Sequence, residues 1–309
     1  MTDKLIGLRC DVDFGIGLAR GVPYLLDVLK RHGMRGTFYV TMGPDGFRQH
    51  SNRLGSATYR KRIRRMNPLG MIKAFGPWYL GRQALGFRGS VGVSHPRVLQ
   101  RVHGEGHELG VHGFDHYWWA ENAFTAPGDR LKGDMERALS ALKSATGHDA
   151  AAWASPNWRC SRPLLELIDE YRFPYGADTR GASPYFPEVD GYRAATPQLP
   201  ISLPCLHEIS DYLDTTEPAT IRDEFLRRVR PGYNVWCIHD YYEGVLRRAM
   251  FESVVDALIG RGWTLVPIAT LAAGLDRDSL PVSRVTTARM PGGRGAVSCQ
   301  QGTGTEITE

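Results

Sequence analysis

Short continuous apolar runs alternate along this chain with stretches whose apolar residues recur every three or four positions. Leu5-Ile6-Gly7-Leu8, Thr37-Phe-Tyr-Val40, Glu108-Leu-Gly-Val-His112, Ala151-Ala-Trp-Ala154, Asn234-Val-Trp-Cys-Ile238 and Thr264-Leu-Val-Pro-Ile268 read as strands, and Tyr175 to Asp178 and Gln198 to Ser202 as shorter ones. Val22, Leu25, Leu26 and Leu29 recur at helical spacing, with Pro23 at the entry and Gly33 past the exit. The same spacing marks Leu131, Met135, Leu139 and Leu142 up to Gly147. It marks Leu164, Leu165, Leu167 and Ile168 behind a Ser161 cap, then Ile221, Phe225 and Val229, and lastly Leu246, Met250, Val254 and Leu258. Strand–helix alternation predicts an α/β fold with a parallel sheet, here an irregular (β/α) barrel of about seven or eight mostly parallel strands. One domain is expected over residues 1–275. From about Asp276 the periodicity stops and Gly, Thr, Ser and Pro dominate, which predicts a disordered tail over 276–309.

Composition narrows this further. With 42% hydrophobic and 23% charged residues in 309, a sizeable core is possible and wholesale disorder is excluded. No apolar stretch is long enough to span a bilayer. Cys10, Cys160, Cys205, Cys237 and Cys299 are odd in number and widely spaced, which argues against a disulfide framework and for a reducing compartment. A strand starting almost at once leaves no room for a signal peptide, so a cytoplasmic protein is expected. The charge is uneven. Residues 46–104 hold 12 Lys and Arg and no Asp or Glu, leaving 26 of the 38 basic residues against all 33 acidic ones elsewhere. A faintly acidic body thus carries a strongly basic insert, which suits an anionic partner.

Three apolar strands end in groups capable of catalysis: Asp11-Val12-Asp13 after the first, His112 with His116 after the third, and His239 after a late one. In a parallel barrel these ends share one rim. Side chains alternate along a strand, so Asp11 and Asp13 face the same way. The i, i+4 spacing of His112 and His116 would do the same on a helical turn. Asp13, His112 and His116 are therefore the expected ligands of one divalent metal ion, zinc or another transition metal, with positions left for water and substrate. Asp11 is then the expected general base and His239 the expected general acid. Alone, each motif has an ordinary structural reading; their coincidence on one rim carries the argument.

Asp11-x-Asp13, His112-x-x-x-His116 and Ile238-His239 resemble the first, second and last motifs of the polysaccharide deacetylase (NodB-homology) family of metal-dependent amidases, over roughly residues 4–273. Leu8-Arg-Cys-Asp-Val-Asp13, Met42-Gly-Pro-Asp45, Trp158-Arg159, Asp178-Thr-Arg-Gly181 and His239 with Glu243-Gly244 look more specifically like the 4-deoxy-4-formamido-L-arabinose-phosphoundecaprenol deformylases. That resemblance implies removal of formate from a lipid-linked aminosugar, in lipid A modification and resistance to cationic antimicrobial peptides. It implies the same ligand, base and acid assignments. Many deacetylases steady the catalytic aspartate with an arginine shortly before a proline. Here Arg159 follows Pro156 and is the candidate for that role. Asp178 is a candidate to orient His239 or bind substrate, Arg180 to pair with the substrate phosphate, and Glu243 to support the site.

Within the insert, Arg60, Lys61, Arg62, Arg64 and Arg65 precede Phe75 and Trp78. Basic residues beside aromatic ones are the composition of an interfacial segment, so these are the expected membrane-facing residues. The expected partners are a lipid-linked aminosugar and an anionic membrane surface, with the protein held peripherally on the inner face of the cytoplasmic membrane. A deacetylase acting on another amino sugar is the alternative. A basic nucleic-acid-binding protein is disfavoured, since no nucleic-acid module is recognisable.

Overall fold

A computed structural model describes residues 4–47, 49, 68–87, 89–289 and 295–303. In chain order its strands are β1 (Leu5–Val12), β2 (Thr37–Val40), β3 (Glu108–Val111), β4 (Phe186–Val189), β5 (Tyr192–Arg193), β6 (Val235–His239), β7 (Thr264–Val266), β8 (Val282–Arg289) and β9 (Ala296–Gln300). The main sheet runs β3-β2-β1-β6, with β7 pairing to the start of β1, and every pair in it is parallel. Beyond β3, single parallel bridges link Val111 to Trp153, Trp153 to Gly176 and Gly176 to Gln198. Leu203 N–H then donates to Val235 O of β6 at 3.0 Å. The strands expected near 151–154, 175–178 and 198–202 are thus bridged extended segments, and pairing passes from β3 round to β6.

Parallel strands are covered on both faces, which is why these runs are apolar throughout. Along β1, Ile6, Leu8, Cys10 and Val12 pack outward into the layer containing Leu25, Leu131 and Val254 of the covering helices. Gly7, Arg9 and Asp11 take the opposite face. There Arg9 lies over the Tyr39 ring and Asp11 near the Cys237 thiol. On β6, Trp236 and Ile238 face outward while Val235 and Cys237 face inward. The period-two alternation therefore sends the polar residues of β1 into the interior, towards the rim.

Two π-helical turns, Gly17–Gly21 and Tyr242–Leu246, follow the ends of β1 and β6. They cross backbone against backbone. A Cβ on Gly21 would lie 2.1 Å from Asp240 O, and one on Gly244 would lie 2.6 Å from Gly21 Cα. Such turns recur at functional sites, and glycine is the only residue that permits this approach.

The tail expected to be disordered is not so over its described residues. β8 and β9 pair antiparallel and join β4 and β5 in a second sheet. Val297, Ser298 and Cys299 are buried. Arg180 N–H donates to Ser298 O, and Gln300 N–H to Arg180 O, both at 2.8 Å. Pairing with the distant Arg180 segment orders this stretch, and its Ser/Thr/Gly-rich composition carries no sign of that partner.

Candidate active site

β1 and β6 end side by side, with β3 one strand further along beyond β2, and the register sets Asp11 opposite His239. His112 directly follows β3. His116 opens the helix His116–Asn122. The two histidines are therefore not on one helical turn, as their spacing suggested. A tight loop joins them instead: Gly113 sits at φ 75°, and Phe114 and Asp115 N–H groups both donate to the Asp134 carboxylate. Asp115 then caps the helix by accepting from Trp118 N–H at 3.0 Å. The two imidazoles end with ring centroids 5.1 Å apart.

Asp13, His112 and His116 bring one ligand atom each within 4.8 Å of one another. Asp13 Oδ1 stands 3.4 Å from His116 Nε2 and 3.7 Å from His112 Nε2. Ligands bound tetrahedrally at 2.0–2.2 Å stand about 3.4 Å apart, so this set fits a divalent ion. The ring of His112 is fixed for the purpose. Its Nδ1–H donates to Ala154 O at 2.7 Å, which leaves the Nε2 lone pair facing Asp13. Burial lowers the His112 pKa to about 3, so the imidazole is neutral and ready to bind. His112→Ala and His116→Ala are each expected to lose the metal and the activity together, checked by elemental analysis beside turnover. Full metal in both variants would refute the ligand set.

Asp11 is held by Arg9, two residues earlier on the same face of β1. Arg9 Nε donates to Asp11 Oδ1 at 2.5 Å and Nη2 to Oδ2 at 2.9 Å; Nη1 donates to Ala177 O. The guanidinium is fully buried, over the Tyr39 and Trp158 rings at 5.2 and 5.5 Å. Burial alone would raise the Asp11 pKa. The Arg9 charge and its hydrogen bonds to the carboxylate lead the influences that more than offset it and hold the carboxyl well below the usual range. Trp158 reaches its place through a backbone in the left-handed region, at φ 49° after Asn157 at φ 57°. On the other side, Glu243 Oε2 accepts from the His239 backbone N–H at 2.8 Å. Burial lifts the Glu243 pKa to about 8, and burial also lowers that of His239, so its protonated ring gives up a proton more readily than a free imidazolium.

The family model for polysaccharide deacetylases matches residues 12–176, more than half of the chain and including Asp13, His112 and His116. The chain belongs to the polysaccharide deacetylase family. The chain is a hydrolase that acts on amide bonds. Two curated relatives are each named "Probable 4-deoxy-4-formamido-L-arabinose-phosphoundecaprenol deformylase ArnD". One, from Shewanella sediminis, is 28% identical over 96% of this chain and 94% of its own length. The other, from Wigglesworthia glossinidia brevipalpis, is 24% identical over 93% and 99%. The crystal structure of a Mycobacterium smegmatis protein assigned to the polysaccharide deacetylases shares the fold, with TM-score 0.62 and 17% identity over 91% of this chain and 93% of that one.

In this family member the residues expected to surround the centre take different places. Arg159 does not steady Asp11 by a direct bond. It donates to Ala120 O and Ala296 O and lies over Phe124, while Arg9 makes the aspartate contact. Period-two alternation from Asp11 back to Arg9 was the signal for this in the sequence. Asp178 is fully buried. It accepts from Ser155 N–H and Gln198 Nε2, so these bonds do not orient His239. Arg180 is also fully buried and pairs with Glu208 at 3.2 Å, which leaves it no exposed face for a phosphate. Glu243, with no exposure, supports His239 rather than substrate. Phe75 is 1% exposed and packs with Phe14 and Ile16, so it anchors the insert and does not face outward; Trp78 is 78% exposed. Arg60, Lys61, Arg62, Arg64 and Arg65 lie outside the described residues. Sequence reasoning gave Asp45 no role. Its buried carboxylate accepts from Gly15 N–H at 2.9 Å and from Tyr79 OH at 2.8 Å, tying the insert to the loop after Asp13.

Proposed function

We propose that this enzyme removes formate from 4-deoxy-4-formamido-L-arabinose phosphoundecaprenol, a step of lipid A modification that confers resistance to cationic antimicrobial peptides, while docked on an anionic membrane surface. The observation that carries this reading is the match to relatives of that name along more than nine-tenths of both chains. A cleft of about 560 Å³ beside Gly15 adds support. Arg20 and Arg82 line it together with Phe75, Trp78, Tyr79 and Phe87, a mixture of cationic and aromatic groups suited to a phosphorylated lipid. Leu69, Trp78, Leu85 and Phe87 of the insert are exposed by 59–78%, an unusual concentration of large apolar side chains at one place in the chain. Among the described residues no helix is long and apolar enough to cross a membrane.

Asp13, His112 and His116 would hold the metal, which when bound supplies Lewis-acid polarisation of the formyl carbonyl and lowers the pKa of a water. The chain's own groups do the rest. Asp11, kept anionic by Arg9, takes a proton from the attacking water as its oxygen bonds to the formyl carbon. His239 gives a proton to the sugar nitrogen as the carbon–nitrogen bond breaks, releasing formate and the free amine. Burial of both groups keeps bulk water from competing for these protons.

Product analysis with formamido and acetamido forms of one lipid-linked sugar, with and without chelator, tests the reading. Formate release that stops with chelator and returns with metal is expected, with formyl preferred over acetyl. Attraction for one methyl is worth only about 1–3 kcal/mol, so a strong preference requires a closed pocket. Equal specificity constants would replace the deformylase by a general amino-sugar deacetylase. Sedimentation with anionic liposomes at low and high salt checks the docking, each basic residue near the surface contributing about 1 kcal/mol. Trp78→Ala should weaken it, and unchanged binding would remove the insert from that role.

A further inference from the structure

Cys205, His207 and His239 place one sulfur and two ring nitrogens within 4.8 Å of one another. None of the three belongs to the Asp13–His112–His116 set. Cys205 is fully buried just before the helix Leu206–Tyr212, and His239 is 8% exposed. His239 Nδ1 is buried and makes no hydrogen bond. His207 is half-buried, giving the cluster a way out to solvent, and its ring stands edge-on to that of His239 with centroids 4.9 Å apart. Burial raises the Cys205 thiol pKa, and Arg180, whose Nη1 lies 3.9 Å from Cys205 Sγ, partly offsets that rise.

Zinc–sulfur and zinc–nitrogen bonds of 2.0–2.3 Å put donors about 3.5 Å apart, so small side-chain rotations close the cluster on an ion. Thiolate and imidazole together select soft or borderline metals and not magnesium or calcium. We propose that Cys205, His207 and His239 form a second metal site, for a thiophilic divalent ion such as Zn²⁺ or Cd²⁺, whose occupancy silences the enzyme. On binding, the Cys205 thiol loses its proton to solvent as the sulfur–metal bond forms; the ion keeps its charge and no electron moves. An imidazole with a metal on one nitrogen cannot take up the second proton that a general acid donates. Silencing therefore rests on the role of His239 proposed above, whereas binding does not.

The catalytic ligand set has no sulfur, so a thiolate-to-metal charge-transfer absorption reports the second site alone. Titrating the full-length protein with Co²⁺ is expected to fill the nitrogen–oxygen site without that absorption and then to develop it with a second equivalent. Cys205→Ser keeps a capping side chain and should lose the band, retain the first equivalent and leave basal turnover unchanged. Cd²⁺ inhibition should weaken at least about tenfold in Cys205→Ser and in His207→Gln. Absence of the band in the wild type overturns the site. So does its survival in Cys205→Ser, or its loss in Cys237→Ser alone, which would assign the thiolate to the neighbouring Asp11–Cys237–His239 group. Unchanged Cd²⁺ inhibition in both variants that have lost the band overturns the silencing.

Discussion

Asp11→Asn is expected to keep its metal and lose turnover by about 10² to 10⁴, the usual cost of removing one proton-transfer group. The amide retains an oxygen to accept from Arg9, so the strand end keeps its geometry. It has no basic site for the proton of the attacking water. The change also leaves the buried Arg9 charge without its carboxylate, so a lowered Tm is expected beside the kinetic loss. Metal content and Tm measured on the same preparation separate the two effects. A folded, metal-replete Asp11→Asn enzyme with near-normal kcat would sink the assignment of Asp11 as base.

Arg9→Lys carries the second large effect, and its direction follows from the electrostatics. Asp11 works only as the anion. Burial pushes its pKa up, and the bidentate guanidinium is the largest influence holding it down. A lysine keeps a charge but gives up the planar fork, so the carboxyl pKa rises. The acid limb of the kcat–pH profile is therefore expected to move to higher pH, with kcat at its optimum lower by about 10²-fold, as a small misplacement of a catalytic group can cost. Arg9→Met goes further, stranding a buried carboxylate at a cost of about 3–5 kcal/mol in stability. Adding Asp11→Asn should recover part of that Tm loss, because the stranded charge is then gone. Arg159→Lys serves as the contrast, since its guanidinium donates to backbone carbonyls. An acid limb that moved in Arg159→Lys and stayed in Arg9→Lys would return the positioning role to Arg159.

The convergence of Asp11, Asp13, His112 and His239 was legible in the sequence because strand ends of a parallel sheet share a rim whatever the connections between them. The closeness of His116 to Asp13 and His112 was legible too, but for a different reason from the one the structure supplies. A glycine at positive φ and the Asp134 carboxylate shape the loop that returns His116 to the site. Arg180 and Asp178 show the opposite case. Both belong to a motif that reads as functional, yet both are enclosed by segments far away in the chain. Ser298 and Cys299 of β9 and Glu208 surround Arg180, and Gln198 and Ser155 occupy Asp178.

What the sequence determined by itself is local and periodic: which runs are strands, which side chains share a face, and which polar residues end a strand. Those follow from alternation and helical spacing, which need no knowledge of neighbours. Burial and partnership were decided only by the tertiary structure. It gave Asp11 its guanidinium from Arg9, turned Phe75 inward while leaving Trp78 out, and ordered β8 and β9 against a distant segment. Each of these outcomes is a long-range pairing, and the desolvation that decides whether an arginine binds phosphate or closes a buried ion pair depends on what the rest of the chain places around it.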